Sequence, residues 1–221
     1  MKQSRIHDQH QQLGATFEEV TGWSVPAHYG DVTAEYAAVR NRVGISDLSH
    51  RGKLRVTGDD RTKWLQSIIS NDILPLKPGQ GRYSSFLTHK GKMLGYFRVH
   101  IQSDAVWIED VGEVGETTFQ ALRKFLLYGT KAKMENCAES WGLLLVSGPK
   151  SAEVVSAAFG VEARTLELLQ TIPATISGQS ALIMRTEETG EQDLEILLPA
   201  DALTAAWSQL MTAGVPFDIK P

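Results

Sequence analysis

The chain has 221 residues, 42% hydrophobic and 22% charged, with a formal net charge of −4. This globular balance excludes disordered, collagen-like and disulfide-scaffold proteins, and the longest apolar stretch is far shorter than the roughly 20 residues that cross a bilayer. The polar N-terminus shows no secretory signal, and a single cysteine, Cys137, fits a reducing compartment. We therefore expect one large or two compact domains in a cytoplasmic protein.

The small net charge conceals an uneven distribution of charged residues. The segment from Arg40 to Arg98 has twelve basic and four acidic residues, so it carries +8 while the remainder carries −12. A local positive field attracts anions even when the whole protein is acidic. The alternative is that these charges are scattered over a solvated surface.

In chain order, the first half begins with a helix and continues as strand, helix, hairpin, strand, helix and strand. Apolar residues recur at helical spacing over 31–42, where Asp31 or Thr33 can cap the helix and Gly44 can end it in left-handed backbone. The elements that follow are a strand at 53–56, a helix capped by a carboxylate of the turn at 58–60, a hairpin of strands at 82–88 and 93–102, a strand at 105–109, a helix at 113–127 and a strand at 131–135.

The second half repeats this order. Its elements are a strand at 141–146, a helix at 150–159, strands at 171–176, 181–185 and 194–198, a helix at 200–213 and a strand at 215–219. Each half follows the order of a split βαβ, or ferredoxin-like, unit. Helices cover one sheet face of such a unit, so the other face is buried elsewhere or binds something. The sequence therefore predicts an α+β fold of two tandem units, with domains at 1–137 and 138–221.

Local signatures of chemistry are sparse. The chain has no phosphate loop, dinucleotide fingerprint, H-E-x-x-H or paired C-x-x-C motif, and its six histidines lack metal-ligand spacing. Asp47, Ser49 and His50 invite interpretation as a catalytic triad, but a turn uses the same residues to bond its own backbone, and we favour the turn. Cys137 is interpreted as an inert small residue. Glu195 can accept paired hydrogen bonds from an amino-pyrimidine edge, with an exposed acidic hairpin as the alternative.

Several segments, taken together and in order, resemble one known family. They include Leu13-Gly14-Ala15, Gly22-Trp23-Ser24-Val25-Pro26, Asp47-Leu48-Ser49-His50-Arg51-Gly52-Lys53, Ser70-Asn71-Asp72, Ser147-Gly148-Pro149 and Thr189-Gly190-Glu191. The set covers nearly the whole chain and resembles the glycine cleavage T-protein family. That family comprises the tetrahydrofolate-dependent aminomethyltransferases and the related folate-binding proteins of iron–sulfur cluster assembly and repair.

The resemblance implies a bound tetrahydrofolate or folate derivative. It places Glu195 at the glutamate that grips the pterin ring and Tyr83 at a tyrosine that lines the folate site. Tyr96 and Glu188 are further candidates for folate contacts.

Three basic residues complete the expected folate site. Arg51 stands where the family has an apolar residue beside the pocket. With Arg98 and Lys92, it is expected to contact the anionic glutamate tail of the folate.

The chain also departs from the family pattern. Gly95-Tyr96 replaces two aspartates, and neither glycine nor tyrosine supplies a carboxylate at neutral pH. Glu187-Glu188 replaces a Gly-Tyr pair. No catalytic residue is therefore assigned, and the leading hypothesis is a folate-binding protein of iron–sulfur cluster assembly or one-carbon metabolism that does not transfer methylene. The alternatives are an aminomethyltransferase or demethylase with its carboxylate at Glu187 or Glu188, and an anion- or RNA-binding module that uses the basic segment.

The resemblance further implies sequence after the position of Pro221. The family continues into a long segment and a C-terminal β-barrel that supplies an arginine for the folate, together with a Lys-Gly-Cys-x-x-Gly-Gln-Glu motif in the iron–sulfur branch. The expected fold therefore lacks the barrel, and its second unit is expected to be incomplete at the C-terminus. Expected partners are folate, a separate chain carrying the barrel, and iron–sulfur proteins.

Overall fold

The structure is a computed structural model that describes residues 1–111 and 115–221. Its elements are β1 (Lys2–Gln3), α1 (His7–Gln12), β2 (Thr16–Val20), β3 (Trp23–His28), α2 (Val32–Asn41), β4 (Gly44–Asp47), β5 (Lys53–Thr57), α3 (Arg61–Gln66), β6 (Gly81–Leu87), β7 (Met93–Ile101), β8 (Ala105–Asp110), α4 (Gly115–Arg123), β9 (Lys133–Asn136), β10 (Trp141–Ser147), α5 (Ser151–Phe159), β11 (Thr171–Ile176), β12 (Gln179–Thr186), β13 (Asp193–Pro199) and α6 (Leu203–Gly214). None of the helices in the described ranges is long and apolar enough to span a membrane.

The chain divides into two compact units. Unit 1 contains residues 1–50, 140–168 and 172–221, and unit 2 contains residues 51–139 and 169–171. This grouping differs from the expected contiguous domains 1–137 and 138–221. The difference arises because β4, near the N-terminus, pairs with β10 of the second half and so belongs to its sheet.

Unit 2 is built on a five-stranded sheet in the order β6-β7-β8-β5-β9. Neighbouring strands in it are antiparallel, and β5 lies between β8 and β9, as the split βαβ unit requires, with β6 added at the edge. The core of this unit includes Leu54, Phe97, Val99, Ile108 and Leu122. The predicted α+β fold is confirmed here.

Unit 1 contains a second five-stranded sheet in the order β11-β12-β13-β10-β4. Its core joins β10 and β13 to α5 and α6. The predicted strand at 215–219 is wrong, because Val215–Phe217 forms a short 3₁₀ helix in which Pro216 has no N–H for a ladder. The edge beside β10 is occupied by β4 instead, and only an isolated parallel bridge joins Gly44 to Lys220.

A small three-stranded sheet in the order β1-β3-β2 was not predicted. Thr21 and Gly22 join β2 to β3, with φ angles of 47° and 83°. Positive φ at both central residues is the conformation of a tight two-residue hairpin turn. The Thr21-Gly22 pair is therefore the feature of the sequence from which this hairpin could have been predicted.

Helix α2 begins as predicted and ends differently. The Asp31 side chain accepts a hydrogen bond from Ala34 N–H at 3.0 Å, so Asp31 is the N-cap. Gly44 does not end the helix in left-handed backbone but begins β4. Glycine is needed at that position because an added Cβ would lie 2.7 Å from Cγ2 of Val39.

The helices of unit 2 also differ in detail from the prediction. Asp60 stands at the start of α3 without capping it, because its carboxylate accepts a hydrogen bond from Lys131 N–H at 2.9 Å. Helix α4 ends at Arg123 rather than at residue 127. Of the predicted helix at 113–127, Glu113 and Val114 lie outside the described residues.

Candidate functional site

One face of the unit 2 sheet carries aromatic and charged side chains. The strand register places Tyr83 opposite Arg98, and Arg98 opposite Glu109, on adjacent strands. Directly opposed residues share a face, whereas Phe97 and Val99 point to the other side and enter the core. This polar face corresponds to the one that the sequence predicts to be buried elsewhere or to bind something.

Three of the predicted site residues come together on this face. The rings of Tyr83 and Tyr96 are stacked, with centroids 5.6 Å apart and planes within 4°. The guanidinium carbon of Arg98 lies 6.0 Å from the Tyr83 ring centroid. Tyr96 remains 40% exposed, so part of the aromatic pair is open to a ligand.

Glu109 accepts hydrogen bonds from two of the predicted basic residues, Arg98 and Arg51. The sequence did not indicate this role for Glu109. Arg98 Nη2 lies 2.6 Å, and Arg51 Nη1 3.4 Å, from the same carboxylate oxygen, Oε1. The Arg98 side chain is fully buried. Arg98 therefore does not face solvent and Glu109 offsets its charge, while the expected contact of Arg98 with an anionic folate tail stays a prediction. Lys92 is exposed.

His100 continues this face toward Gly81, its cross-strand partner. Burial lowers the pKa of His100 to about 4; Arg98 also lowers it, while Glu109 acts in the opposite direction. The imidazole is therefore neutral at pH 7. An added Cβ at Gly81 would lie 2.7 Å from His100 Nδ1, so the buried ring requires glycine opposite it.

Gly95, the first of the two positions where the family has aspartates, is packed closely against α4. At Gly95, an added Cβ would lie 2.7 Å from Thr118 Oγ1 and 3.1 Å from its Cγ2. Thr118 Oγ1 in turn donates a hydrogen bond to the buried Asp110 at 2.8 Å. The structure therefore gives a steric reason for glycine at position 95.

Glu195 lies in unit 1, on β13, where it faces away from α5 and α6. Its neighbours Leu194 and Ile196 enter the helix-covered core, whereas Glu195 pairs with Leu145 and Met184 on the adjacent strands. The residue is fully buried. Glu195 is therefore not part of an exposed acidic hairpin. The loop that precedes β13 does carry exposed acidic residues.

That loop, between β12 and β13, carries Glu188 in an exposed position. Thr189 donates hydrogen bonds to Asp193 from its backbone N–H at 2.6 Å and from its hydroxyl at 2.7 Å. Arg40 Nη1 donates to Thr189 C=O and to Glu191, both at 3.0 Å. The loop that carries Glu188 is therefore tied to α2 and to the start of β13.

Asp47 belongs to a buried polar network that spacing did not reveal. Its Oδ1 accepts a hydrogen bond from Ser49 N–H at 2.9 Å, which confirms the predicted turn. Its Oδ2 lies 3.1 Å from His10 Nε2, and His10 Nδ1 lies 2.7 Å from the Tyr29 hydroxyl. His10 and Tyr29 are far from Asp47 in sequence, and no motif connects them.

The ionisation of this network follows from its surroundings. Burial alone would raise the pKa of Asp47, but hydrogen bonds from His10, Ser4 and Ser49 outweigh it and hold that pKa below its usual value. Burial, and then the charges of Asp47 and Glu35, raise the pKa of Tyr29. At neutral pH the network therefore holds an ionised Asp47 and a protonated Tyr29. Across the described ranges, no group of three or more His, Cys, Asp or Glu residues could hold a metal ion.

Comparison with curated proteins finds relatives that are named aminomethyltransferases. The protein from Chloroherpeton thalassium is 30% identical over 222 residues, covering 100% of this chain and 61% of the relative. The protein from Deinococcus deserti is 28% identical over 215 residues, covering 97% and 60%. The chain thus spans about 60% of the length of these relatives.

Comparison with solved structures and family models gives a consistent result. The glycine cleavage system aminomethyltransferase T from Bartonella henselae superposes with a TM-score of 0.86 at 25% identity, covering 95% of this chain and 57% of that chain. Heterotetrameric sarcosine oxidase from Corynebacterium sp. U-96 shares the fold, with a TM-score of 0.59 at 17% identity, covering 84% and 91%. The family model described as the GCVT N-terminal domain matches residues 6–221. The chain therefore belongs to the GCVT N-terminal domain family.

Proposed function

We propose that this chain binds tetrahydrofolate or a folate derivative and serves one-carbon metabolism. The observation that carries the proposal is the stacked pair of Tyr83 and Tyr96, with Arg98 beside it, on the sheet face that the helices leave uncovered. Aromatic rings bind flat conjugated ligands by offset stacking. The partly exposed Tyr96 ring is the surface that a folate ring system would contact.

The arginines and Glu109 act in this proposal by positioning the tyrosines. Arg98 lies beside the Tyr83 ring at a cation–π distance, and Glu109 holds the guanidinium there. Arg51 shares the same carboxylate oxygen. Lys92, whose side chain is exposed, would contact the anionic tail of the folate.

The acidic residues of unit 1 have separate roles in the proposal. Glu195 would accept paired hydrogen bonds from the amino-pyrimidine part of a pterin, a contact for which an ionised carboxylate has two suitably spaced oxygens. Glu188 would contact the ligand from a loop that Arg40 and Asp193 hold in place.

Aminomethyl transfer is the second candidate function. The names of the relatives favour it over a role in iron–sulfur cluster assembly. It requires a carboxylate in place of the absent aspartates, and Glu188 is the candidate because its loop is anchored. A turnover assay with an aminomethylated lipoyl carrier and tetrahydrofolate separates the candidates: measurable activity that is lost in Glu188→Gln favours catalysis.

Titration calorimetry with tetrahydrofolate and its 5-formyl derivative tests folate binding. The chain is titrated alone and after mixing with the C-terminal portion of the Bartonella henselae aminomethyltransferase. We expect Tyr96→Ala to weaken binding about tenfold, since ring stacking contributes on the order of 1 kcal/mol. The matched variant Tyr96→Phe keeps the ring and should bind like the original chain. Absence of binding in both preparations, or equal affinity of the two variants, would contradict the proposal.

A further inference from the structure

The edge strand β4 of unit 1 borders a cavity of about 590 Å³. Strand β4 forms one wall and α2 forms another, and residues 25–29, 48, 50, 188–189 and 220–221 complete the lining. All of these residues belong to unit 1. The cavity therefore lies along a sheet edge, where backbone groups are available for pairing.

Strand β4 uses only alternate residues to pair with β10. Leu48 N–H donates to Leu143 C=O at 2.9 Å, which fixes Leu48 as a residue whose backbone faces β10. In an antiparallel pair, such residues alternate with others whose N–H and C=O point the opposite way. Ile45 and Asp47 therefore direct their backbone groups toward the outer edge of the sheet, on the side of the cavity.

Lys220 already pairs with part of this outer edge. Ile45 N–H donates to Lys220 C=O at 2.8 Å, and Lys220 N–H donates to Val43 C=O at 3.2 Å. The bridge between Gly44 and Lys220 is parallel. Continued in the same register, a residue at position 222 would donate to Ile45 C=O and accept from Asp47 N–H.

The helix wall of the cavity exposes apolar side chains. Val32 and Tyr36 are four residues apart on α2 and line the cavity, yet they are 59% and 61% exposed. The helical spacing predicts a buried apolar face at these positions. An extended segment in the cavity would turn every second side chain toward one side and could cover both residues.

We infer that the outer edge of β4 receives an extended polypeptide strand, parallel to β4, which continues the pairing begun by Lys220. The occupant is the segment that follows this domain in the longer relatives, continuous with Lys220 and Pro221. The family model describes an N-terminal domain, and the relatives carry further sequence beyond the matched part. Strand addition of this kind takes its affinity from main-chain hydrogen bonds and its specificity from side-chain pockets.

The test extends the 221-residue chain after Pro221 with about eight residues, the length of an ordinary strand. These residues are taken from the position that follows the matched region in the Chloroherpeton thalassium aminomethyltransferase. Amide hydrogen exchange at Asp47 is measured with and without the extension. We expect exchange to slow by about fivefold or more, since a new main-chain hydrogen bond contributes roughly 1 kcal/mol.

Two matched variants of the extension identify the backbone pairing. Proline at position 222 removes the N–H that would donate to Ile45 C=O but keeps the C=O that accepts from Asp47 N–H, so protection of Asp47 should weaken because one of the two paired hydrogen bonds is missing. Proline at position 223 removes an N–H that points away from β4, so protection should remain. Unchanged exchange at Asp47 in the extended chain, or equal protection by the two proline variants, would overturn the inference. A concentration-dependent dimer of the unextended chain with Asp47 protected would also overturn it, because the occupant would then be a second copy.

Discussion

At the scale of single residues, Gly95 shows how close packing can exclude a side chain from a strand position. The family resemblance places an aspartate here, but an added Cβ would meet two side-chain atoms of Thr118 at 2.7 and 3.1 Å. Thr118 cannot move freely because its hydroxyl bonds the buried Asp110. A carboxylate at position 95 therefore needs a change in α4 as well.

We predict that Gly95→Ala lowers the free energy of unfolding by about 1–3 kcal/mol, the usual cost of overpacking. Thr118→Ala in the same chain should recover part of this loss, because it removes both clashing atoms. A double-mutant cycle in urea measures the coupling. Thr118→Ser keeps the hydroxyl and should recover less. Additive effects of Gly95→Ala and Thr118→Ala would show that the contact is not what excludes a side chain at position 95.

At the scale of elements, α2 depends on its first turn. It forms one wall of the cavity beside β4, and its apolar residues Val32 and Tyr36 are more than half exposed. Burial therefore stabilises this helix less than its apolar pattern suggests. The cap that Asp31 provides to Ala34 N–H is a correspondingly larger part of its stability.

We predict that Asp31→Ala lowers the free energy of unfolding by about 1 kcal/mol through loss of the N-cap. Thr33→Ala is the matched control, since Thr33 is exposed and Asp31 already fills the capping position. It should change the free energy by less than about 0.5 kcal/mol. Urea denaturation followed by circular dichroism measures both. Equal effects of the two variants would contradict the assignment of Asp31 as the cap.

At the scale of the whole molecule, the basic segment 40–98 is partly neutralised by ion pairs. Several of its arginines pair with acids elsewhere in the chain. These pairs are Arg40–Glu191, Arg42–Asp218, Arg51–Glu109, Arg55–Asp104 and Arg98–Glu109. Because Glu109 is shared, four acids from outside the segment offset about half of the local excess of +8. An RNA-binding module would use unpaired cations along one surface, and these pairs leave fewer arginines for that role.

Global stability should depend on pH through His100. Its pKa is about 4 in the folded chain, against an ordinary 6.5. Between these values the unfolded chain binds a proton that the folded chain excludes, so the free energy of unfolding falls as pH drops through this window. The full difference corresponds to roughly 3 kcal/mol.

We predict that the free energy of unfolding falls much less between pH 7.5 and pH 4.5 in His100→Gln than in the original chain. Urea denaturation at both values measures it, with the exposed His89→Gln as the control. Should His100→Gln fail to fold, an NMR titration of the original chain gives the same information. Protonation of His100 above about pH 6, near the ordinary value for histidine, would contradict the prediction.

The candidate site could be predicted from the sequence only in part. The hairpin at 82–102 could be read from local alternation, and its antiparallel register brings Tyr83, Tyr96 and Arg98 together. Glu109 could not be recognised as their partner, because its role depends on which strand lies beside β7. For the same reason, His10 and Tyr29 had no local signal that would join them to Asp47.

The sequence by itself determined most helices and strands, because hydrophobic period and turn residues act over a few positions. It also determined the α+β class, since the order of elements in each half admits few topologies. Only the tertiary structure decided that β4 completes the second sheet in place of residues 215–219. Pairing of distant strands depends on which edge is open and which backbone groups face it, and these properties arise only after the chain has folded. Likewise, part of the +8 of the basic segment is offset by ion pairs that form only when distant acids are brought beside it.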